Sequence, residues 1–141
     1  MDMNRIFYQR KEDAQPKWHF IDAQTEVLGR LSTKVADLLT GKGKATFAPH
    51  TDSGDYVVIT NADKVILTGT KIKTKVYTRV TGWIGGKKET LLEDMMKKDS
   101  TEVIRLAIKG MMPKNRLSDL SLTRLKIYKH ATHPHQGQET K

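Results

Sequence analysis

The sequence predicts an α/β domain built around a mostly parallel sheet. Short runs of aromatic and β-branched residues, typical of buried strands, alternate with longer segments whose apolar residues recur every three or four positions, as in helices. Strands and helices that alternate in this way favour layers in which helices connect parallel strands. The chain has 141 residues, of which 37% are hydrophobic, and this suffices for a single core and a single domain.

The first half of the chain predicts a strand, a helix and a second strand. Residues 18–21 form a short apolar run that Asp22 ends, which indicates a buried strand. Apolar residues between 28 and 39 follow helical spacing, and Gly41 stands where a left-handed C-terminal cap belongs. Tyr56–Thr60 predicts a second buried strand, and the intervening helix is long enough to connect the two strands in parallel.

The middle of the chain predicts two further extended segments. Residues 65–68 follow a turn and predict a third short strand. In residues 71–80 the odd positions are Lys, Lys, Lys, Tyr and Arg, whereas the even positions are Ile, Thr, Val, Thr and Val. Because side chains alternate between the faces of an extended chain, we expect one cationic face and one β-branched face. Gly82, Gly85 and Gly86 then end the extended segment.

The last third predicts helices followed by a final strand. Residues 91–96 begin one amphipathic helix, and Asp99 and Glu102 are spaced as a capping box ahead of a second apolar stripe that ends at Pro113. A shorter helical segment at residues 117–124 leads into residues 125–129, where apolar and polar residues alternate as in a strand.

Two polar segments are expected to lie outside the domain. Residues 1–16 predict an N-terminal arm, and residues 131–141 predict a loosely ordered C-terminal tail, because both are rich in polar and charged residues. A single α/β domain then occupies residues 17–130.

The charge of the chain is one-sided and points to a polyanionic partner. The sequence contains 25 Lys and Arg against 16 Asp and Glu, a formal net charge of +9. Residues 1–70 hold nine basic and nine acidic residues, whereas residues 71–141 hold sixteen basic and seven acidic residues. The whole excess therefore lies in the second half, where Lys and Arg could neutralise the phosphates of a nucleic acid. Tyr77 and Trp83 lie among these charges, where their rings could stack on unpaired bases, and the alternative is that they belong to the core.

Several other classes of protein are disfavoured. The longest uninterrupted apolar run covers residues 56–59, far short of the roughly 20 residues that cross a bilayer. The absence of cysteine excludes a disulfide scaffold, a thiolate zinc site and a cysteine nucleophile. The first 17 residues lack the apolar core of a secretory signal, so a cytoplasmic location is expected.

One segment could carry chemistry. It places His50, Asp52 and Asp55 within six positions, which is raw material for a metal site or for acid–base catalysis. The alternative is a loop whose carboxylates accept hydrogen bonds from backbone amides. A small metal-dependent RNA-processing enzyme therefore remains a second hypothesis beside an RNA-binding protein, and a free regulatory RNA-binding module is a third.

Two weaker motifs lack the spacing of a known site. Residues 41–44, Gly-Lys-Gly-Lys, follow a helix and do not have the glycine spacing of a phosphate-binding loop, so they fit a helix cap followed by two lysines able to reach a phosphate backbone. His133 and His135 have no fixed third ligand for a metal, and we interpret them as polar or stacking residues.

A series of short motifs runs in order along residues 17–138. It comprises Asp22-Ala23, Leu28-Gly29-Arg30-Leu31, Gly41-Lys42, Pro49-His50, Asp52 with Gly54-Asp55-Tyr56, Asn61-Ala62-Asp63-Lys64-Val65, Thr68-Gly69 with Lys71, Lys75-Val76-Tyr77, Gly82 with Gly85-Gly86, Ile108-Lys109-Gly110-Met111, Pro113-Lys114, Leu125-Lys126 with Tyr128, and His133-Pro134-His135. Together these motifs closely resemble the bacterial type of large-subunit ribosomal protein thirteen.

The resemblance implies a three-layer α/β/α fold with a small, mostly parallel four-stranded sheet. It implies a structural constituent of the large ribosomal subunit that binds large-subunit (23S-type) rRNA and supports subunit assembly and translation, with no catalytic residue, metal or cofactor. The implied partners are this rRNA and neighbouring large-subunit proteins, without a membrane, a small-molecule substrate or a homo-oligomer.

The expected RNA-binding residues are basic, aromatic and glycine positions in these motifs and on the basic surface. They are Lys42, Lys44, His50, Lys75, Tyr77, Arg79, Gly82, Gly85, Gly86, Lys87, Lys88, Lys109, Lys114, Arg116, Arg124 and Lys126. The chain departs from the family after Lys114, where the usual Gly-Pro-Leu-Gly is replaced by residues 115–118, Asn-Arg-Leu-Ser. We expect Arg116 in this segment to add a phosphate contact.

Overall fold

Strands and helices alternate along the part of the chain that the computed structural model describes, residues 10–139. The elements in chain order are β1 (Trp18–Asp22), α1 (Leu28–Thr40), β2 (Tyr56–Thr60), α2 (Lys71–Thr74), β3 (Val76–Val80), β4 (Lys87–Leu91), α3 (Leu92–Met111), α4 (Arg116–Thr123), β5 (Leu125–Ile127) and α5 (Gln136–Glu139). Two short 3-10 turns lie at Lys11–Asp13 and Ala62–Lys64. None of the helices in residues 10–139 combines the length and the apolar composition that a membrane span requires.

Three parallel strands form the sheet, in the order β1-β2-β5. The register places Trp18 beside Tyr56 and Val57 beside Leu125. β2 lies in the middle, and its three central residues are fully buried, as is usual for a strand covered on both faces of a parallel sheet. Strand β1, helix α1 and strand β2 form the parallel crossover that the sequence predicts.

The main core lies between one face of the sheet and helices α1 and α3. Val57 and Ile59 point to this face and join the apolar stripes of the two helices in one buried cluster. Its fully buried helical members are Leu31, Val35, Leu39, Leu92, Val103, Ile104 and Ile108. Gly41 ends α1 with a φ of 74°, which confirms the predicted left-handed cap.

Helix α3 consists of two helical halves that meet at Asp99. This residue has extended backbone angles (φ −155°, ψ 99°) inside the helical segment. Its Oδ1 accepts hydrogen bonds from the backbone N of Thr101 at 3.1 Å and from Thr101 Oγ1 at 2.8 Å. Asp99 therefore caps the second half, at the position where the sequence predicts a helix start.

The segment after β5 covers the opposite face of the sheet. His133 stacks on Phe20 with a centroid distance of 5.5 Å, and His135 lies 5.3 Å from the Trp18 ring. The Oη of Tyr128 and Nε2 of His135 are also hydrogen-bonded at 2.9 Å. Within the expected loosely ordered tail, residues 133–135 thus pack against the sheet, because their imidazole rings stack on aromatic side chains. Residues 1–9 of the expected arm at residues 1–16, and residues 140–141 of the chain, lie outside the described range.

Strands β3 and β4 form an antiparallel hairpin separate from the sheet. The single cationic strand predicted for residues 71–79 is wrong in its first part, because residues 71–74 form the short helix α2. The strand predicted at residues 65–68 is also wrong, since only one parallel bridge, between Ile66 and Val27, forms there. The mixed α/β class is confirmed, but the sheet has three strands and not the expected four.

Gly54 allows α1 to approach the start of β2. A Cβ atom built on this glycine would lie 1.7 Å from the backbone oxygen of Leu39 and 2.9 Å from Nη2 of Arg124. Both the backbone of α1 and a buried guanidinium would then have to move. Glycine is therefore needed at position 54 because there is no space for a side chain between the end of α1 and the start of β2.

Replacing Gly54→Ala is expected to destabilise the domain by about 1–3 kcal/mol or more, because the added methyl group overpacks this junction. Gly29→Ala is the matched control, since no atom lies within 4 Å of a Cβ at this exposed helical position. The control is expected to be neutral or stabilising by up to about 1 kcal/mol. Urea unfolding measures both values, and equal stability of the two variants would contradict the packing account.

Candidate nucleic-acid interface

The segment from α2 to β4 concentrates positive charge. Residues 71–91 contain six basic residues and one acidic residue. Lys71 and Lys73 lie on α2, and Lys75 follows it, with its Nζ 5.1 Å from the centroid of the Tyr77 ring. The predicted basic positions of this region thus come from a helix and a hairpin and not from one strand face.

Two cations face each other across the hairpin. The antiparallel register pairs Arg79 with Lys88, and both residues are exposed. Like charges directly opposite each other destabilise a strand pair, so this position favours an anion bound from outside. Neither cation forms an ion pair with any residue in the range 10–139. The neighbouring Lys87 does pair with Glu89, at 2.5 Å, but both side chains are largely exposed.

The hairpin turn depends on its glycines. Gly82 and Gly85 have φ values of 90° and 76°, in the left-handed region that disfavours other residues. A Cβ on Gly86 would lie 2.0 Å from Oγ1 of Thr81, whose backbone N donates to the Gly86 oxygen at 3.1 Å. These three predicted positions therefore shape the turn, and contact between their backbone and RNA remains a prediction.

A second basic group lies where α3 passes into α4. Lys109 is in the last turn of α3, Lys114 lies in the connection, and Arg116 begins α4. All three are exposed and form no ion pair within the described part of the chain. Asn115 caps α4, because its Oδ1 accepts from the backbone N of Ser118 at 2.9 Å, so the departure from the family's usual sequence here retains an ordered helix start.

Two predicted RNA-binding cations are engaged inside the domain. The side chain of Arg124 is only 14% exposed, and its Nη2 is paired with Asp52. Lys44 is 25% exposed, and its Nζ lies 2.5 Å from Asp55 Oδ1 and 2.8 Å from the backbone oxygen of Ser53. Both charges are thus balanced by carboxylates of the loop before β2, and the partner of Arg124 lies 72 residues away in sequence.

The remaining predicted residues differ in their accessibility. Lys42 and His50 are exposed in the segment between α1 and β2. Lys126 is half-buried in β5, where it pairs in register with Val58. Tyr77 is also half-buried and packs against the main core, so its ring is not an open platform for a base.

Asp55 connects three parts of the fold. Its Oδ1 accepts from the backbone N of Lys17 at 2.8 Å, and its Oδ2 accepts from Nε2 of His19 at 3.0 Å. Its own backbone N donates to the Leu38 oxygen at the end of α1. Burial of this carboxyl group favours its neutral form, but the hydrogen bonds from Lys17, Lys44 and His19 outweigh this effect, and the pKa of Asp55 is lowered from 3.8.

These contacts do not support the hypothesis of a metal-dependent enzyme. Asp52 and Asp55 are held by different cations, Arg124 and Lys44, and act as structural ion-pair partners. Within residues 10–139, no three His, Asp or Glu side chains are grouped in a way that could hold a metal ion. The segment at residues 49–55 therefore fits its alternative interpretation, a loop held by its carboxylates.

Two apolar residues stand at the tip of the hairpin, Trp83, whose ring the sequence offers for stacking on unpaired bases, and Ile84, which the sequence analysis does not single out. Trp83 is 82% exposed, and Ile84 is fully exposed. The sequence contained a signal for them, because two large apolar residues between Gly82 and Gly85 are placed in a turn with no core to enter.

Comparison with known proteins finds relatives that match almost the whole chain. The family model described as ribosomal protein L13 matches residues 16–134. The chain is 48% identical over 137 residues to large ribosomal subunit protein uL13 of Kocuria rhizophila, covering 97% of this chain and 93% of that protein. Identity to the uL13 protein of Clostridioides difficile is 46% over 134 residues, with 95% and 94% covered. The corresponding protein of Symbiobacterium thermophilum is 44% identical over 137 residues, with 97% and 96% covered.

Replacing Asp55→Asn is expected to lower the free energy of unfolding at pH 7 by about 1–3 kcal/mol, because a buried charged acceptor is lost. The folded-state pKa of Asp55 lies below 3.8, so its stabilisation is present above about pH 4 and is lost as the pH falls through the lowered value. The stability difference between wild type and variant should therefore shrink toward pH 3.

Urea unfolding at pH 7 and pH 3 measures this difference, with Asp37→Asn as the matched control. Asp37 is exposed, and its carboxylate forms no hydrogen bond or ion pair with the rest of the described chain. The control should lose little stability at either pH. A stability difference for Asp55→Asn that stays constant between pH 7 and pH 3 would show that the carboxylate is not held in its charged form.

Proposed function

The chain belongs to the ribosomal protein L13 family, and we propose on this premise that it is a structural constituent of the large ribosomal subunit. It binds large-subunit (23S-type) rRNA and supports assembly of the subunit and translation, without catalysing a reaction. Its partners are this rRNA and neighbouring large-subunit proteins, and it acts as a single copy in the cytoplasm as part of the ribosome.

The observation that supports rRNA binding is the contrast between paired and unpaired cations. Lys44 and Arg124 are balanced inside the domain by Asp55 and Asp52. In contrast, five exposed cations on the hairpin and around the end of α3 form no ion pair with residues 10–139, namely Arg79, Lys88, Lys109, Lys114 and Arg116. Phosphates are the ligands that such clusters attract, since each neutralised phosphate releases condensed counterions.

The RNA-facing residues belong to a domain that we place at residues 17–130. Its RNA-facing surface carries the exposed cations of the predicted set, which are Lys42, Lys75, Arg79, Lys88, Lys109, Lys114 and Arg116. Lys87 lies on the same hairpin and can exchange Glu89 for a phosphate, because its present ion pair is exposed and weak. Lys44 and Arg124 contribute by holding the loop at residues 41–55 in place.

Purified large subunits are expected to retain the protein, tagged at its C-terminus, through sedimentation in a sucrose gradient. A structural constituent should be present at about one copy per subunit and nearly absent from the soluble fraction of growing cells. A chain that stays in the soluble fraction would contradict this function. Tight binding to one isolated RNA hairpin, without association with subunits, would support a free regulatory module.

Replacing Arg79, Lys88, Lys109 and Lys114 together by Gln is expected to weaken binding to deproteinised large-subunit rRNA. Each phosphate contact contributes roughly 0.7 to 0.9 to the slope of log K against log salt concentration, by analogy with DNA, so losing four should reduce its magnitude by about 3. Filter binding at several salt concentrations measures the slope.

The matched control replaces Arg30, Lys34, Lys64 and Lys97 by Gln, which removes the same four charges from other exposed positions. Its salt dependence should stay close to that of the wild type. If the control lowers the slope as much as the interface variant does, net charge and not the proposed surface governs binding.

A further inference from the structure

The tip of the hairpin presents two large apolar side chains to solvent. Trp83 and Ile84 lie between Gly82 and Gly85, and no atom lies within 4 Å of a Cβ built on either glycine. Trp83 is 82% exposed, so neighbouring side chains do not cover the indole ring. A soluble domain gains nothing from exposing Trp in this way, so the tip is built for contact with another molecule.

The turn holds Trp83 in a defined position. The Trp83 oxygen accepts a hydrogen bond from the backbone N of Gly86 at 2.9 Å, and the backbone N of Thr81 closes the turn on the Gly86 oxygen at 3.1 Å. The left-handed angles at Gly82 and Gly85 set the two bends. An aromatic ring held on a structured turn loses less conformational entropy on binding than one on a flexible loop.

The charge of the surrounding segment indicates the kind of partner. Six basic residues and one acidic residue lie within residues 71–91, and Arg79 faces Lys88 across the hairpin near the tip. Three residues separate Arg79 from Trp83, so their backbones lie at most about 13 Å apart, which a few stacked nucleotides at roughly 3.4 Å each would span. An apolar protein pocket would leave these cations without partners. A nucleic acid, in contrast, offers bases to the apolar tip and phosphates to the cations.

We infer that Trp83 stacks on an unpaired base of large-subunit rRNA while Arg79 and Lys88 hold the adjoining phosphate backbone. Single-stranded bases are recognised by aromatic platforms flanked by cations, and any base offers a face for stacking. Ile84, the next residue of the turn, is fully exposed. This inference rests on the proposed function and adds to it a specific base-contacting residue.

The test compares three variants, Trp83→Phe, Trp83→Leu and Trp83→Ala, in binding to deproteinised large-subunit rRNA. Trp83→Leu and Trp83→Ala should each weaken binding on the order of tenfold, because both lose the stacking surface. Trp83→Phe should stay within about threefold of wild type, because it keeps a ring that can stack. Since Trp83 is outside the core, thermal unfolding should be the same for all three variants.

The salt dependence separates stacking from charge. Trp83→Leu should weaken binding at every salt concentration with an unchanged slope, whereas Arg79→Gln with Lys88→Gln should reduce the slope by about 1.5. Ile84→Ala, at the neighbouring exposed position, should have a smaller effect than Trp83→Ala.

Three outcomes would overturn the inference. Wild-type affinity of Trp83→Leu would show that any apolar side chain suffices, and wild-type affinity of all Trp83 variants would show that the tip does not touch RNA. Normal rRNA binding by Trp83→Ala combined with loss from assembled subunits would assign the tip to a protein neighbour. The proposed function survives each of these outcomes, and it fails separately if the wild-type chain neither binds rRNA nor sediments with large subunits.

Discussion

The buried carboxylate of Asp55 is the contact on which the arrangement of the domain depends. It stands directly before β2 and accepts hydrogen bonds from the start of β1, from His19 within β1, and from Lys44 in the connection after α1. Its backbone N also bonds to the end of α1. One residue therefore sets the relative positions of two strands and the helix between them, and Gly54 beside it provides the space for their close approach.

This use of charge divides the cations of the chain into two groups. Carboxylates of the loop before β2 pair with Lys44 and Arg124, so these charges hold the fold together. The basic residues of the hairpin and of the α3–α4 connection lie at the surface, where Arg79 even faces Lys88. A domain that tolerates such repulsion needs an anionic partner to relieve it, and rRNA is the anion that the family assigns to this chain.

Much of the fold could be predicted from sequence because the periodicity of its core elements is unambiguous. Residues 56–60 are continuously apolar or β-branched and form the central strand, and the leucines of α1 recur at helical spacing. Residues 71–74, Lys-Ile-Lys-Thr, alternate as a strand would, yet form a helix, because so short a segment is determined by its tertiary surroundings. Strand β4 is not predicted from the sequence, because its polar residues resemble the start of the helix that follows it.

The sequence indicates where the candidate interface lies more readily than which residues are free to form it. The excess of charge points to the second half, but sequence cannot show that Arg124 meets Asp52, 72 residues away, or that Tyr77 turns toward the core. Ultraviolet crosslinking in purified large subunits, followed by mapping of the crosslinked peptides, tests the central claim most directly. The account predicts RNA crosslinks within residues 71–91 and 109–116. Crosslinks confined to α1 and β1, with none in those two ranges, would contradict it.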